Sequence, residues 1–345
     1  MNVPPHAFAG PSQAVETTIF SEHLNSPAYE HRGFALDFGR SVAKNGYLWW
    51  YIDAISDDGQ NALTLIVFVG SVFSPYYARE RRKHLCSPEQ HCAFNTILYG
   101  PNGRKRWSMT ERSAQSLRRS KNHFALGPSE LRWNGEILSA NINEWCVPVP
   151  RKMVGRIRVT PSAVTKHTIL LDELGRHRWN PIAPIARVEV DFPGMNTSWS
   201  GDGYVDSNEG NEPLADGFTG WDWARVRLHD DECAVRYETR PHLRQPKRFA
   251  LSFDADGGIR ETEATDARAM RSTDIWRVDR NVPSSTDYDD RLERTLEDTP
   301  FYARSLIRTA RHGRHGNGFH ESLCMERFQQ PWVQTLLPFR MPRVP

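Results

Sequence analysis

A chain of 345 residues, 39% apolar and 25% charged, carries enough hydrophobic material for one or two packed domains, which excludes a disordered protein. Its 44 Lys and Arg are balanced by 42 Asp and Glu and are scattered, which excludes the basic stripe of a nucleic-acid binder. Five widely spaced cysteines, Cys86, Cys92, Cys146, Cys233 and Cys324, make no disulfide framework and point to a reducing cytoplasm.

Residues 1–30 are rich in Pro, Ser and Ala and have neither a basic start nor an apolar core, so they read as a loose arm and not as a signal peptide. From Gly46 the pattern is β. GYLWWYIDAIS turns at Asp57-Asp58-Gly59 into a second strand whose two faces, Leu63/Leu65/Val67/Val69 and Thr64/Ile66/Phe68, are both largely apolar, so this strand is expected to be central. The longest apolar run, Ala62 to Gly70, is too short to span a bilayer, so membrane contact is expected only at the surface. Arg79–Lys83 and Arg104–Arg106 are expected as solvated loops, with attraction to anionic lipid as the alternative. Further hairpins are signalled at Pro101-Asn102-Gly103, Asn134-Gly135, HDDE after Leu228, and Asp256-Gly257-Gly258. Many short strands with frequent turns predict an all-β sandwich or barrel, divided into two units somewhere between Pro150 and Leu174. The one helix candidate is Asp287 to Leu296, and the tail reads as a strand followed by an apolar closing segment.

The stretch from Gly175 to Trp223 gathers the chemistry. His177 and Trp179, Tyr204 and Asp206, and Trp221 and Trp223 each lie two apart, so each pair shares one face of an extended strand. A cavity lined by an imidazole, a carboxyl, a phenol and indoles suits proton transfer to something large and apolar. Other clusters carry less. His84, Cys86, His91 and Cys92 match no common zinc spacing, and His312, His315 and His320 lie in a Gly-rich turn. DGYVDSNEGNEP lacks the order of calcium ligands and reads as a Gly-rich turn. GxGxxG, Walker and GxSxG motifs are absent. No metal and no cofactor is expected.

GYLWWYIDAISDDG, FVGSVFSPYYA, HCAFNTILYG, RWSMTER, GRHRWNPIAPIARVEVDFP, WSGDGYVDSNEGNEPL and the PWVQTLLPFRMPR tail resemble the bacterial carotenoid 1,2-hydratases, also called hydroxyneurosporene synthases, over nearly the whole chain from about Gly33 to Pro342. The resemblance implies a cofactor-independent lyase that adds water across the terminal C=C of an acyclic carotene such as neurosporene or lycopene. It also implies tandem lipocalin-like β units, expected here as a 31–170 N-terminal domain and a 171–345 C-terminal domain carrying the catalytic stretch. Its His-x-Trp and Tyr-x-Asp pairs fall on His177, Trp179, Tyr204 and Asp206. Trp199, Asp202, Asn208, Glu212, Trp221 and Trp223 are added as neighbours that bind substrate or support the site.

Hydrating an unactivated alkene needs a strong acid and then water. The expected acid is Asp206, kept neutral by burial and supported by a hydrogen bond from Tyr204, with Trp179 facing the cation and His177 taking a proton from water. The exchanged roles, His177 as acid and Asp206 as base, are disfavoured because an imidazolium is costly in a dry pocket. The expected setting is the cytoplasmic side of the inner, photosynthetic membrane, at its surface. Two alternatives use the same cavity: a lipocalin-like carrier of apolar ligands, and a polyene cyclase.

Overall fold

The structure is a computed structural model that describes residues 29–31 and 36–344, except 229–230, 243, 263 and 285–287. Residues 1–28 of the expected arm, and the HDDE turn at 229–230, lie outside the described residues. The first half of the chain runs β1 (Tyr29–His31), β2 (Tyr47–Ser56), β3 (Ala62–Val69), α1 (Pro75–Arg81), β4 (Cys92–Tyr99), β5 (Lys105–Arg112), β6 (Leu117–Ser120), β7 (His123–Leu126), β8 (Ser129–Trp133), β9 (Leu138–Trp145), β10 (Lys152–Pro161), β11 (His167–Leu170), β12 (His177–Phe192) and β13 (Thr197–Gly210). The second half runs α2 (Leu214–Gly217), β14 (Phe218–Leu228), β15 (Glu232–Pro241), β16 (Lys247–Asp254), β17 (Ile259–Thr262), β18 (Thr265–Met270), β19 (Arg280–Ser284), β20 (Tyr288–Asp298), β21 (Tyr302–Arg311), β22 (Arg314–Cys324), α3 (Met325–Phe328), α4 (Pro331–Leu336) and β23 (Arg343–Val344). The chain is all-β, as expected.

Two large sheets follow. One has the order β23-β5-β4-β3-β2-β13-β12-β10-β9-β8-β7-β6, with β11 and β1 also attached through β12. The other has the order β17-β16-β15-β14-β22-β21-β20, and β18 and β19 pair separately. β3 is central, between β2 and β4. β2 is buried along its whole length because its two faces serve two cores. Leu48, Trp50, Ile52 and Ala54 join Phe124, Ile157 and Val188 inside the curl of the first sheet. Tyr47, Trp49 and Tyr51 join Trp223, Tyr237 and Phe319 between the sheets. The strand period of two is thus enough to send alternate residues to separate cores.

Four local expectations are corrected. Residues 288–296 of the expected helix Asp287–Leu296 are not helical; they belong to β20, paired with β21, and Asp287 lies outside the described residues. Leu292 and Leu296 stand four apart, a spacing that a strand also brings to one side, so the pattern did not discriminate. Arg79 and Arg81 lie on α1 and not in a loop, with Ser74 accepting from the Tyr77 N–H at 2.9 Å and Pro75 opening the helix. Arg81 lies over the Tyr77 ring, its guanidinium carbon 4.2 Å from the centroid. DGYVDSNEG is part of β13 and not a turn. Finally, the first sheet does not stop at residue 170: β13 pairs β2 on one side and β12 on the other, so His177 to Gly210 belong to the first sheet, and the change of sheet falls between Gly210 and Phe218.

A buried charge cluster joins the sheets. Asp53 on β2 bonds the guanidinium of Arg225 on β14 and accepts from the Tyr51 hydroxyl at 2.7 Å, and Arg304 on β21 stands 3.5 Å away. Asp53, Arg225 and Arg304 are all at most 1% exposed. Removing one partner of such a cluster leaves buried charge uncompensated. Asp53→Asn is therefore expected to lower the unfolding free energy by about 3–5 kcal/mol in equilibrium urea titration.

Candidate active site

The two strands that carry the expected pairs are adjacent, and their register decides what meets. On β12 and β13, His177 stands opposite Gly210, Trp179 opposite Asn208, and Pro181 opposite Asp206. On the other side of β13, Tyr47, Trp49, Tyr51 and Asp53 of β2 stand opposite Gly210, Asn208, Asp206 and Tyr204. These rows form the inner face of the first sheet. The inner face of the second sheet brings Trp223 of β14 opposite both Tyr237 of β15 and Glu321 of β22.

Asp206 is the centre of the site. It is 4% exposed, and its Oδ2 accepts both the Trp179 Nε1–H at 2.8 Å and the Tyr204 O–H at 2.9 Å. No described residue hydrogen-bonds to its other oxygen, Oδ1. Burial pushes the Asp206 carboxyl up to about 7, the Trp179 and Tyr204 donors oppose that rise, and the nearby charge of Asp53 adds to it. A carboxyl whose Oδ2 is filled by two donors holds its acid proton on Oδ1. The expected support of the neutral acid by Tyr204 thus has the opposite sign: its hydrogen bond favours the anion and makes Asp206 a stronger acid than burial alone would leave.

Asp206, Asn208, Trp221, Trp223, Tyr237 and Glu321 surround a hollow of about 40 Å³, room for a water molecule. Next to it is an apolar cavity of about 150 Å³ walled by Ile66, Phe68, Phe73, Ile97, Phe301 and Leu337, among others. The two share Trp49, Tyr51, Trp221 and Glu321, so the apolar space has a common wall with the hollow that Asp206 lines. Trp49, Tyr51, Tyr237 and Glu321 were not singled out in the sequence. The aromatic alternation of β2 was legible; its position beside β13 was not.

His177 does not meet Asp206. Four residues of ladder, about 13 Å, separate their backbone positions. Its ring is buried, with Nδ1 at 2.8 Å from the Tyr47 hydroxyl and Nε2 at 3.3 Å from Glu212, and its backbone N–H donates to Asp172 at 2.6 Å. Burial lowers its pKa, against the pull of Asp172 and Glu212. Gly210 and Gly217 make room for the ring: a Cβ at Gly217 stands 2.4 Å from Nε2, and one at Gly210 stands 2.7 Å from Nδ1. His177 therefore locks the end of the β12–β13 pair and does not line the hollow. Of the other neighbours, Asn208, Trp221 and Trp223 line it, Glu212 holds His177, Asp202 is exposed, and Trp199 packs toward the first sheet's own core, on the opposite face.

The remaining clusters are separate from this site. Glu80, Cys86 and His91 place ligand-type atoms within 4.8 Å of one another, but both ring nitrogens of His91 already have partners, Nε2 with Glu80 at 2.7 Å and Nδ1 with Glu111 at 2.9 Å. His320 is buried and its Nε2 lies 3.0 Å from the Asn281 carbonyl. The cysteines are free.

The family profile described as Carotenoid hydratase CrtC matches residues 65–345. The acyclic carotenoid 1,2-hydratase of Thiocapsa roseopersicina is 44% identical over 322 residues, 93% of this chain and 79% of that one. The chain belongs to the carotenoid hydratase family. Its relative from Rubrivivax gelatinosus is 44% identical over 308 residues, covering 89% of this chain and 75% of that one, and that from Rhodobacter capsulatus is 36% identical over 281 residues, covering 81% and 97%. The fold of this hydratase-family chain is shared by a putative AttH from Nitrosomonas europaea, with a TM-score of 0.58 at 16% identity, covering 85% of this chain and 97% of that one.

Three outcomes follow from this geometry. With Asp206 as the acid proposed below, activity is expected to fall as pH rises through about 7; Tyr204→Phe, which removes a donor to the anion, is expected to move that limb to higher pH while lowering the maximal rate. Because the folded pKa lies above the unfolded value of about 3.9, the folded protein loses stability as pH rises from that value to about 7. Asp206→Asn removes this slope, and denaturant titration at pH 5 and pH 8 is expected to show the variant gaining on the parent by up to ~3 kcal/mol between the two. Gly217→Ala drives a methyl into the His177 ring and is expected to cost about 1–3 kcal/mol, read as a lowered Tm.

Proposed function

We propose that this chain is an acyclic carotenoid 1,2-hydratase, a hydro-lyase that adds water across the terminal C=C of an acyclic carotene to give a tertiary alcohol. The observation that carries the chemistry is Asp206: a buried carboxyl with one oxygen filled by Trp179 and Tyr204 and the other free, lining a small hollow that shares four wall residues with an apolar cavity. Asp206 Oδ1 donates its proton to the less substituted alkene carbon. The positive charge forms on the neighbouring carbon, which bears two methyl groups. Water from the hollow adds there, and the product leaves as an alcohol. The indoles around the hollow offer their faces to the cation, worth roughly 0.5–2 kcal/mol per ring, so placement of the acid contributes more than the rings do. Trp179 and Tyr204 act by stabilising the Asp206 anion as the proton departs. His177 is a positioning residue that fixes the strand pair.

Cavity size supports attack at the end of the polyene. A space of about 150 Å³ takes a group the size of benzene, one prenyl end and not a C40 chain. The rest of the molecule has to stay outside the cavity, which supports docking at the surface of the membrane that dissolves it. Among the described residues no helix is long and apolar enough to cross a membrane. Trp332 and Leu336, one turn apart on α4 and each 48% exposed, continue to Phe339 at 75%. The Trp276 ring stacks on Trp332 at 5.6 Å. From the same segment, Leu337, Arg340 and Met341 line the apolar cavity. One side of this segment is therefore cavity wall and the other is bare apolar surface with indoles, the composition of an interfacial contact. These features favour the C-terminal segment over the Arg79–Lys83 cluster as the proposed lipid contact.

Expression in a carotene-producing bacterium is expected to yield a tertiary-alcohol carotenoid, with one deuterium on the adjacent carbon when the reaction is run in heavy water. Asp206→Asn is expected to lower turnover by about 10²–10⁴ with folding intact. Hydration without deuterium at that carbon, or full activity in Asp206→Asn, excludes the mechanism. Trp332→Glu/Leu336→Glu/Phe339→Glu is expected to weaken sedimentation with liposomes at least tenfold while activity on detergent-solubilised carotene persists; unchanged sedimentation refutes the assigned surface.

A further inference from the structure

Hydration uses two reagents in turn, a proton for the alkene and a water for the cation. If Asp206 gives the first, as proposed above, it is an anion when the second arrives, and the water still has a proton to lose. His177 does not line the hollow. A second carboxylate does. Glu321, on β22, reaches the hollow from the sheet opposite Asp206 and also borders the apolar cavity. It is flanked by Trp223 on β14 and Arg304 on β21.

The two oxygens of Glu321 are not equivalent. Oε1 is ion-paired with Arg304 and lies 3.1 Å from the Tyr51 hydroxyl. That hydroxyl has one proton and a shorter contact, 2.7 Å, to Asp53. No described residue hydrogen-bonds to Oε2. Beside it on the ladder, Trp223 has an Nε1–H that is buried without a partner. An orphaned donor and a free carboxylate oxygen bordering a water-sized space are the two contacts that hold and orient a water.

We infer that Glu321 is the general base that deprotonates the attacking water, so that acid and base come from opposite sheets. The steps balance without any further reagent. The alkene π pair takes the proton from Asp206 Oδ1, leaving a carboxylate and a tertiary cation. The water oxygen lone pair forms the C–O bond, and one water O–H bond breaks toward Glu321 Oε2. The site is then left with Asp206 ionised and Glu321 protonated. A water entering the hollow after product release carries that proton back to Asp206. Trp223 Nε1–H positions the water and keeps it on the Glu321 side of the alkene.

Glu321 also neutralises Arg304, so a loss of activity alone does not separate the two roles. The test uses purified full-length enzyme, with folding followed by circular dichroism. Glu321→Gln is expected to lower kcat about 100-fold or more with KM within threefold. Glu321→Ala is expected to regain at least tenfold in kcat on addition of formate, which fills the vacated space with a carboxylate, and the same formate leaves Asp206→Asn inactive. A kcat within threefold of the parent in Glu321→Gln, or a folded Glu321→Ala that formate does not stimulate, overturns the assignment. Should both fail to fold, Glu321→Asp keeps the charge for Arg304 but withdraws the oxygens: reduced kcat at unchanged KM supports the base, and parental kcat overturns it. Failure of the hydratase reading itself looks different, because the unmodified enzyme then forms no alcohol.

Discussion

Two guanidiniums, Arg225 and Arg304, are buried between the sheets against Asp53, which stands opposite Tyr204, two residues along the strand from Asp206. Unpaired positive charge there would favour the ionised form of Asp206, the form that the proposed acid has to avoid. Asp53 takes Arg225 and the approach of Arg304, and Glu321 takes Arg304. The positive charge is consumed before it reaches Asp206, and the charge that Asp206 does sense is the negative one of Asp53. The same cluster fastens the sheets together, because Asp53 comes from one and both arginines from the other. Fold closure and the protonation state of the acid thus depend on one set of contacts.

Against that background, the strength of the acid is a balance. Burial alone makes a carboxyl hold its proton too tightly to give it to a weak nucleophile such as an alkene. Trp179 and Tyr204 donate to Oδ2, stabilise the anion that is left behind, and bring the group to about 7. They also settle which oxygen carries the proton. The aromatic residues therefore fall into two sets: the Trp179 and Tyr204 donors act on the Asp206 carboxyl, while Trp221, Trp223 and Trp49 line the hollow beside it.

Shape divides the labour further. An apolar space and a smaller hollow beside it have Trp49, Tyr51, Trp221 and Glu321 as their shared wall, which in the proposed reaction gives the end group and the water a compartment each. The C-terminal segment that lines the apolar space through Leu337, Arg340 and Met341 also presents Trp332, Leu336 and Phe339 outward, so cavity wall and bare surface come from one short stretch.

Period-two alternation, turn chemistry and the i, i+2 pairs determined much of this from the sequence alone: the all-β class, most hairpins, a central β3, and the sharing of one face by Tyr204 with Asp206 and by His177 with Trp179. Those features are local, set by backbone geometry within a few residues. The distance from His177 to Asp206 was not local. It depended on the register between β12 and β13, which places His177 against Gly210 and turns an expected base into a buried strut. Trp199 falls on the opposite face for a local reason, an odd position among even ones, which the period of two already implied. Tyr51, Tyr237 and Glu321 had no signal of their own, since a glutamate in a strand 115 residues from Asp206 becomes part of the site only when the second sheet folds over the first. Sequence specified which side chains share a strand face; tertiary packing alone decided which faces meet, because that is settled by how two sheets bury their apolar surfaces and cancel their charges.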